Sequence, residues 1–210
     1  MSKRVVVVDI GIGNLRSVQK ALEAAGEGRV QVVRSGDPEL VRRADRLVVP
    51  GQSGFGDVAL ALKSAGLDQA LSEAVKAGTP YFGMCLGLQV LFEGSEEAEG
   101  LPGLGWFKGR VKKLVRSPEI KIPHMGWNQL EIPAETHPYL ADVGGAGSWF
   151  YFVHSFHAVP DDPAVLQATV SYGPNRVTAA VGRDNVFATQ FHPEKSQANG
   201  LKLLGSFLRR

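Results

Sequence analysis

The first half of the chain alternates between strand-like apolar runs and helix-like runs. Residues 4–10 are rich in valine and lack polar alternation, which is typical of a parallel strand buried on both faces. Helical spacing follows over residues 15–25, with Asn14 as the candidate N-cap. Further strands are predicted at 30–33, at 46–50 and just before Cys85, and further helices at 38–44, 58–65 and 67–77. This order predicts an α/β fold: a doubly wound, mostly parallel sheet flanked by helices, with ligands at the carboxyl ends of its strands.

The pattern changes after about Gly94. Residues 95–100 are predicted to form an acidic loop, and a final helix is predicted at 196–210. Short alternating segments separated by Gly, Pro and Asp favour antiparallel strands added to the sheet, at 109–115, 149–153, 164–172, 177–181 and 186–190. At 210 residues, we expect one domain spanning 1–210.

The only cysteine, Cys85, lies between Gly83 and Gly87. An apolar run precedes it and a helix-like run follows it as far as Phe92, so the segment predicts a strand, a sharp turn and a helix. This arrangement is typical of a nucleophile elbow, whose glycines make room where the strand and helix crowd each other. A helix N-terminus would also favour the reactive thiolate. The alternative is that Cys85 is a small, inert core residue.

A thiol nucleophile needs a base, and the base needs a group that orients it. His192 is the strongest candidate because it ends a predicted strand, and Glu194 follows two residues later, close enough to accept a hydrogen bond from the imidazole. The alternative is a surface turn without chemistry. His154 and His157 are expected to be structural or ligand-facing. One cysteine and no histidine pair at helical or finger spacing predict no metal site. No cofactor is expected either.

Composition and charge narrow the classes of partner. The net charge is +2 and the basic residues are scattered, which does not support a nucleic-acid partner. The N-terminal apolar run is too short for a signal peptide and no segment reaches membrane-spanning length, so a cytoplasmic location without a membrane partner is expected. Gly11 and Gly13 lack the third glycine of a dinucleotide fingerprint.

Three motifs together resemble the class I (triad) glutamine amidotransferases: Pro50-Gly51 with its loop, Gly83 to Gln89, and Phe191 to Glu194. Residues 121–128, 152–156 and 195–197 further resemble the glutaminase subunits of imidazole glycerol phosphate synthase, an enzyme of histidine biosynthesis. The resemblance implies that Cys85 attacks the side-chain amide of glutamine, that His192 transfers the protons and that Glu194 orients His192. A glutamyl thioester and free ammonia would result.

The resemblance also implies roles for further residues. The oxyanion would be held by the N–H of Leu86 and by the Gln52–Ser53 loop, where the family usually has glycine at the position of Ser53. The residues implied in binding glutamine are Gly51, Gln89, Glu97, Ser155 and Phe156. Those implied at a partner interface are Asn14, His124, Met125, Trp127 and Asn128.

The implied partner is a separate (β/α)-barrel cyclase subunit that receives the ammonia in a heterodimer. With it the pair would make imidazole glycerol phosphate and aminoimidazole carboxamide ribotide. Three alternatives remain at this point: the glutaminase subunit of a sibling amidotransferase, a free-standing peptidase-like cysteine hydrolase, and a catalytically silent regulatory subunit.

Overall fold

A seven-stranded mixed sheet forms the centre of the fold in the computed structural model, which describes residues 2–143 and 147–210. In chain order the elements are β1 (Lys3–Val8), α1 (Leu15–Gly26), β2 (Val30–Ser35), α2 (Pro38–Arg42), β3 (Arg46–Gly51), α3 (Phe55–Ser64), α4 (Leu67–Lys76), β4 (Tyr81–Cys85), α5 (Leu86–Gln89), β5 (Gly94–Ser95), β6 (Ala98–Pro102), β7 (Gly109–Lys113), β8 (His124–Gln129), α6 (Pro138–Ala141), β9 (Trp149–His154), β10 (Phe156–Pro160), β11 (Leu166–Tyr172), β12 (Asn175–Arg183), β13 (Val186–Thr189) and α7 (Gln197–Arg209).

The central sheet has the strand order β11-β12-β13-β4-β3-β1-β2. Strands β2, β1, β3, β4 and β13 are parallel, whereas β12 and β11 continue the sheet as antiparallel strands. The predicted doubly wound α/β fold is therefore confirmed. Strand β4 lies between β3 and β13 and is parallel to both. Cys85, the loop after Gly51 and the segment after Thr189 therefore lie together at the carboxyl ends of these three strands.

The valine run in β1 shows why this strand is central. Val5 and Val7 pack into the core on one face of the sheet, and Val6 and Val8 pack into the core on the other. All four side chains are completely buried. Successive side chains of a strand point to opposite faces, so a strand covered on both sides must be apolar at every position.

Part of the prediction for the second half was wrong. Only β11 and β12 extend the central sheet in antiparallel fashion; β10, β7, β5 and β6 form a separate four-stranded sheet, and β8 with β9 forms a two-stranded ribbon. The predicted acidic loop at 95–100 instead contains the end of β5, a two-residue turn at 96–97 and the start of β6. Strands β8 and β10 were not predicted, because Pro, Gly and His interrupt their apolar alternation.

The helix after Cys85 is shorter than predicted. It ends at Gln89 instead of continuing to Phe92, because the N–H groups of Leu91 and Phe92 donate to the carbonyls three residues back, those of Leu88 and Gln89, and not to the carbonyls four residues back. The N–H of Leu104 donates to the carbonyl of Val90 at 2.6 Å, and that of Phe107 donates to Leu91 at 3.0 Å. Among the helices of the described residues, none combines the length and apolarity needed to cross a membrane.

Candidate active site

Cys85 lies at the turn between β4 and α5, with the strained backbone of a nucleophile elbow. Its φ is +53°, a value that non-glycine residues rarely adopt and that is common at functional sites. The residue is only 3% exposed. The elbow was predicted from the glycine spacing. The predicted helix-dipole contribution to a thiolate is correspondingly small, because α5 has only four residues.

Close backbone packing explains the glycines around the elbow. A Cβ added to Gly87 would lie 1.9 Å from the carbonyl oxygen of Val49, and one added to Gly83 would lie 2.3 Å from the carbonyl oxygen of Gly87. Neither backbone atom can move without displacing β3 or α5. The two glycines therefore allow the turn to pack directly against the neighbouring strand, and this close packing explains why the motif has glycine at both positions.

The structure brings His192 and Glu194 together in a buried pair beside Cys85. Nδ1 of His192 lies 2.8 Å from Oε1 of Glu194, and each side chain is 2% exposed. Nε2 of His192 and Oε2 of Glu194 are buried and have no regular hydrogen-bond partner among the described residues. Because Nδ1 is held by Glu194, Nε2 is the ring nitrogen that remains for the thiol.

The surroundings favour the protonated form of His192. Burial alone would lower the pKa of this imidazole, but its interactions with Cys85 and with Glu194 outweigh burial and raise the pKa to about 9. A base that interacts with a carboxylate on one side and a thiol on the other can take the thiol proton and keep it as an imidazolium. The arrangement can therefore support nucleophilic catalysis by Cys85.

One polar contact at Cys85 was not predicted. The side-chain amide of Gln190 donates from Nε2 to Sγ of Cys85 at 3.5 Å, and its Oε1 accepts from Nε2 of Gln89 at 3.0 Å. Gln190 is completely buried. A glutamine at the end of an otherwise apolar strand was the signal available in the sequence, because such a buried amide needs specific partners.

A cavity of about 450 Å³ opens onto Cys85 and His192. Its lining also includes Gln52, Ser53, Leu86, Gln89, Glu97, Ser155 and Phe156, residues predicted for the oxyanion or for glutamine. Oε2 of Glu97 accepts the N–H of Phe55 at 2.7 Å, and Nε2 of Gln89 donates to the carbonyl of Phe156 at 3.0 Å. A larger cavity of about 760 Å³ lies elsewhere, and neither the thiol nor a histidine lines it.

Comparison with known proteins now identifies the family. A family model described as Glutamine amidotransferase class-I matches residues 6–209. The chain belongs to this family. The imidazole glycerol phosphate synthase subunit HisH of Nitrosomonas europaea is 48% identical over 212 residues, which cover 98% of this chain and 97% of the relative. The HisH subunit of Zymomonas mobilis is 46% identical over 210 residues, covering 99% and 96%. The predicted resemblance to these glutaminase subunits is confirmed.

Solved structures show the same class-I amidotransferase fold. PurLQS from Thermotoga maritima matches with a TM-score of 0.75 at 21% identity, covering 99% of this chain and 98% of the matched chain. The glutaminase domain of Trypanosoma brucei CTPS, solved with bound acivicin, matches with a TM-score of 0.67 at 16% identity, covering 100% and 95%. At such low identities the similarity establishes the fold only.

The loop predicted to hold the oxyanion follows β3. Gly51 pairs with Cys85 in the sheet, and a Cβ at Gly51 would lie 2.5 Å from that of Leu86. Gln52 and Ser53 are exposed, and the hydroxyl of Ser53 donates to Oδ2 of Asp57 at 2.5 Å. The side chain of Ser53 is therefore tied to the start of α3, while the loop borders the cavity.

The residues predicted at a partner interface occupy two places. Asn14 is exposed at the start of α1, where its Oδ1 accepts the N–H of Ser17 at 3.3 Å. On the β8–β9 ribbon, Met125 is 62% exposed and Trp127 is 42% exposed, and Asn128 is half-buried. The expectation for His124 requires correction: its side chain is 3% exposed, so it supports the ribbon from inside and does not face a partner directly.

Proposed function

We propose that this chain hydrolyses glutamine to glutamate and ammonia through a Cys85-His192-Glu194 triad. The observation that carries the proposal is the buried His192–Glu194 pair, 2.8 Å apart, beside a thiol held at an elbow in a cavity of about 450 Å³. His192 accepts the thiol proton at Nε2, and Sγ of Cys85 attacks the amide carbonyl carbon of glutamine. Glu194 fixes the tautomer of His192 and stabilises the imidazolium.

Collapse of the tetrahedral intermediate breaks the carbon–nitrogen bond. The imidazolium of His192 returns its proton to the leaving nitrogen, so ammonia departs and a glutamyl thioester remains on Cys85. Water then attacks the thioester with His192 as the base, which releases glutamate and restores the thiol. Gln190, which donates to Sγ, helps to hold the sulfur of Cys85 in place for the attack.

The oxyanion of this intermediate would be held by the N–H of Leu86 and by an N–H of the Gln52–Ser53 loop. Leu86 is the first residue of α5, so its N–H has no helical acceptor. Each such donor contributes on the order of 3 kcal/mol to the transition state. The cavity bordered by Gln52, Ser53 and Leu86 supports this assignment.

The amino-acid end of glutamine would bind in the same cavity, near Glu97 and Gln89. Glu97 supplies a carboxylate for the α-ammonium group, and Gln89 and the backbone of Ser155 and Phe156 supply hydrogen-bonding groups. The backbone of Gly51, which directly precedes Gln52, is proposed to contribute as well. This selects a free α-amino acid with a side-chain amide. No cofactor takes part in this chemistry.

The ammonia would pass to a separate cyclase subunit. The relatives named above are subunits of imidazole glycerol phosphate synthase, and we extend that role in histidine biosynthesis to this chain. The exposed apolar side chains of Met125 and Trp127 are proposed to contact a (β/α)-barrel partner, as are Asn128 on the same strand and Asn14 at the start of α1. Residues 1–210 would act as one glutaminase domain, and its reactive thiol requires a reducing compartment such as the cytoplasm.

The test is glutamate release from glutamine, measured for this chain alone and mixed with a synthase cyclase subunit carrying its ribotide ligand. We expect a low rate alone and a rise by orders of magnitude in the mixture. The Cys85→Ala variant should release no glutamate while its thermal unfolding remains cooperative. A high rate that ignores the partner would instead support a sibling amidotransferase or a free hydrolase, and retained turnover in Cys85→Ala would refute the triad.

A further inference from the structure

Two buried histidines outside the triad are joined ring to ring next to the glutamine cavity. Nδ1 of His124 lies 3.0 Å from Nε2 of His154, and the rings meet edge to face. The ring of His124 is stacked between Phe152 and Tyr172, with ring centroids 4.8 and 4.0 Å away. The mechanism above uses neither histidine. Each buried ring nitrogen nevertheless needs a hydrogen-bond partner, so only certain tautomers of the two imidazoles are compatible with these contacts.

The tautomers of both histidines follow from the acceptor next to His154. Nδ1 of His154 lies 2.9 Å from the backbone carbonyl oxygen of Phe156, which can only accept. Nδ1 of His154 therefore carries a hydrogen, and in a neutral ring its Nε2 is an acceptor. Nδ1 of His124 must then donate to that nitrogen, which leaves Nε2 of His124 as an acceptor as well.

The hydrogen bonds on the other side of His124 agree with these tautomers. Nδ2 of Asn128 lies 3.4 Å from Nε2 of His124 and donates to the carbonyl of Ser171 at 3.1 Å. Oδ1 of Asn128 accepts the N–H of Gln129 at 2.7 Å, which fixes the orientation of the amide. Asn128 thus presents a donor to His124, as the tautomers require. Burial lowers the pKa of His154 to about 3 and that of His124 to about 4, so both rings are neutral near pH 7.

The chain of hydrogen bonds ends at the catalytic cavity. The carbonyl of Phe156 accepts not only from His154 but also from Nε2 of Gln89 at 3.0 Å. Gln89 in turn contacts Gln190, which donates to Sγ of Cys85. The imidazole of His154 and the amide of Gln89 therefore share one carbonyl oxygen, and moving one donor changes the position that is best for the other.

We propose that His124 and His154 are positioning residues of the glutamine site: as a neutral pair protonated at both Nδ1 atoms, they hold the Phe156 carbonyl, and through it the Gln89 amide, where glutamine binds. The proposal rests on the function proposed above. His154 lines the cavity, but both of its ring nitrogens are already engaged, so it is not a second base.

The first test reads the tautomers directly. In the full chain labelled with ¹⁵N-histidine, NMR long-range nitrogen–proton correlations should show both rings as neutral Nδ1–H tautomers that do not titrate between pH 6 and pH 8. Spectra of His124→Phe and His154→Gln assign the signals. An Nε2–H tautomer at either ring, or titration in this range, would overturn the proposal whether or not the chain hydrolyses glutamine.

The second test measures kcat and KM for glutamine in the complex with the cyclase subunit. His124→Phe keeps the aromatic stack but removes the donor to His154, and we expect KM to rise about tenfold with a smaller change in kcat. His124→Asn places an amide N–H near the position of Nδ1 and should restore most of the affinity. His137→Phe, at a half-buried histidine outside the pair, is the matched control and should leave both constants unchanged.

These outcomes separate the two proposals. A wild-type complex that releases no glutamate overturns the proposed function and the positioning role with it. An active wild-type complex in which His124→Phe is folded and kinetically normal overturns the positioning role alone. A loss of affinity in His124→Phe that His124→Asn fails to restore would mean that the N–H donated to His154 is not what holds the site, and it would also overturn the positioning role.

Discussion

Oε1 of Glu194 accepts a hydrogen bond from Nδ1 of His192 at 2.8 Å, and only 2% of either side chain is exposed. The short sequence separation makes the contact possible, and Pro193 limits the conformations of the turn between them. Burial keeps water from competing for the carboxylate. The pair therefore orients the imidazole before any substrate arrives, and its removal gives the sharpest test of the triad.

Glu194→Gln should lower kcat about 100-fold or more. The amide cannot stabilise the imidazolium, so the pKa of His192 should fall and the ring can adopt the wrong tautomer. Steady-state glutamate release in the complex with the cyclase subunit, measured across pH, checks both effects. Glu99→Gln, at an exposed carboxylate that pairs with Arg110, is the control. An unchanged kcat in Glu194→Gln would remove this residue from the mechanism.

Glu97→Gln should raise KM for glutamine by about 10- to 100-fold with a smaller effect on kcat. The loss of a charged partner for the α-ammonium group corresponds to about 1.5–3 kcal/mol. The neutral amide can still accept the N–H of Phe55, so the local structure should persist. Initial rates over a range of glutamine concentrations provide the measurement. Glu96→Gln, at the neighbouring position outside the cavity lining, should bind glutamine normally.

Gly87→Ala should destabilise the fold by about 3 kcal/mol or more, because its Cβ would lie 1.9 Å from a backbone oxygen of β3. Denaturant unfolding followed by circular dichroism measures the change. Gly94→Ala is the matched control: its Cβ would meet its nearest neighbour at 3.5 Å, which is ordinary contact. Equal stability of the two variants would contradict the close packing described for the elbow.

The buried side chain of His157 should make the fold less stable in acid. Burial, and then the charge of Lys112, lower its pKa from 6.5 to about 4. Between these two values the unfolded chain binds a proton that the folded chain does not. The contribution of His157 to the free energy of unfolding is therefore fully present above pH 6.5. It is lost as the pH falls towards 4, by about 1.4 kcal/mol per pH unit.

Unfolding free energies of the wild type and His157→Gln, measured from pH 7 to pH 4.5, test this contribution. The variant should lose stability less steeply as the pH falls, since one of the buried titrating groups is gone. Parallel pH profiles would show that His157 does not contribute.

The sequence by itself determined the central sheet and the three residues of the proposed triad. The apolar run in β1 has to be buried on both faces, and glycines on either side of a lone cysteine are required wherever strand and helix meet so closely. Cys85, His192 and Glu194 follow from local patterns because each ends a strand or lies in the turn just after one. Local periodicity carries this information without any knowledge of distant contacts.

Only the tertiary structure decided how the second half is arranged. After α5 the chain turns instead of continuing as a helix, and the carbonyls of Val90 and Leu91 accept from Leu104 and Phe107; the β8–β9 ribbon likewise forms through pairing between segments 20 or more residues apart. The same holds for Gln190 at the thiol and for the burial of His124, which the sequence suggested would face a partner. Hydrogen-bond partners that are distant in sequence leave no periodic signal, so their positions are set by packing alone.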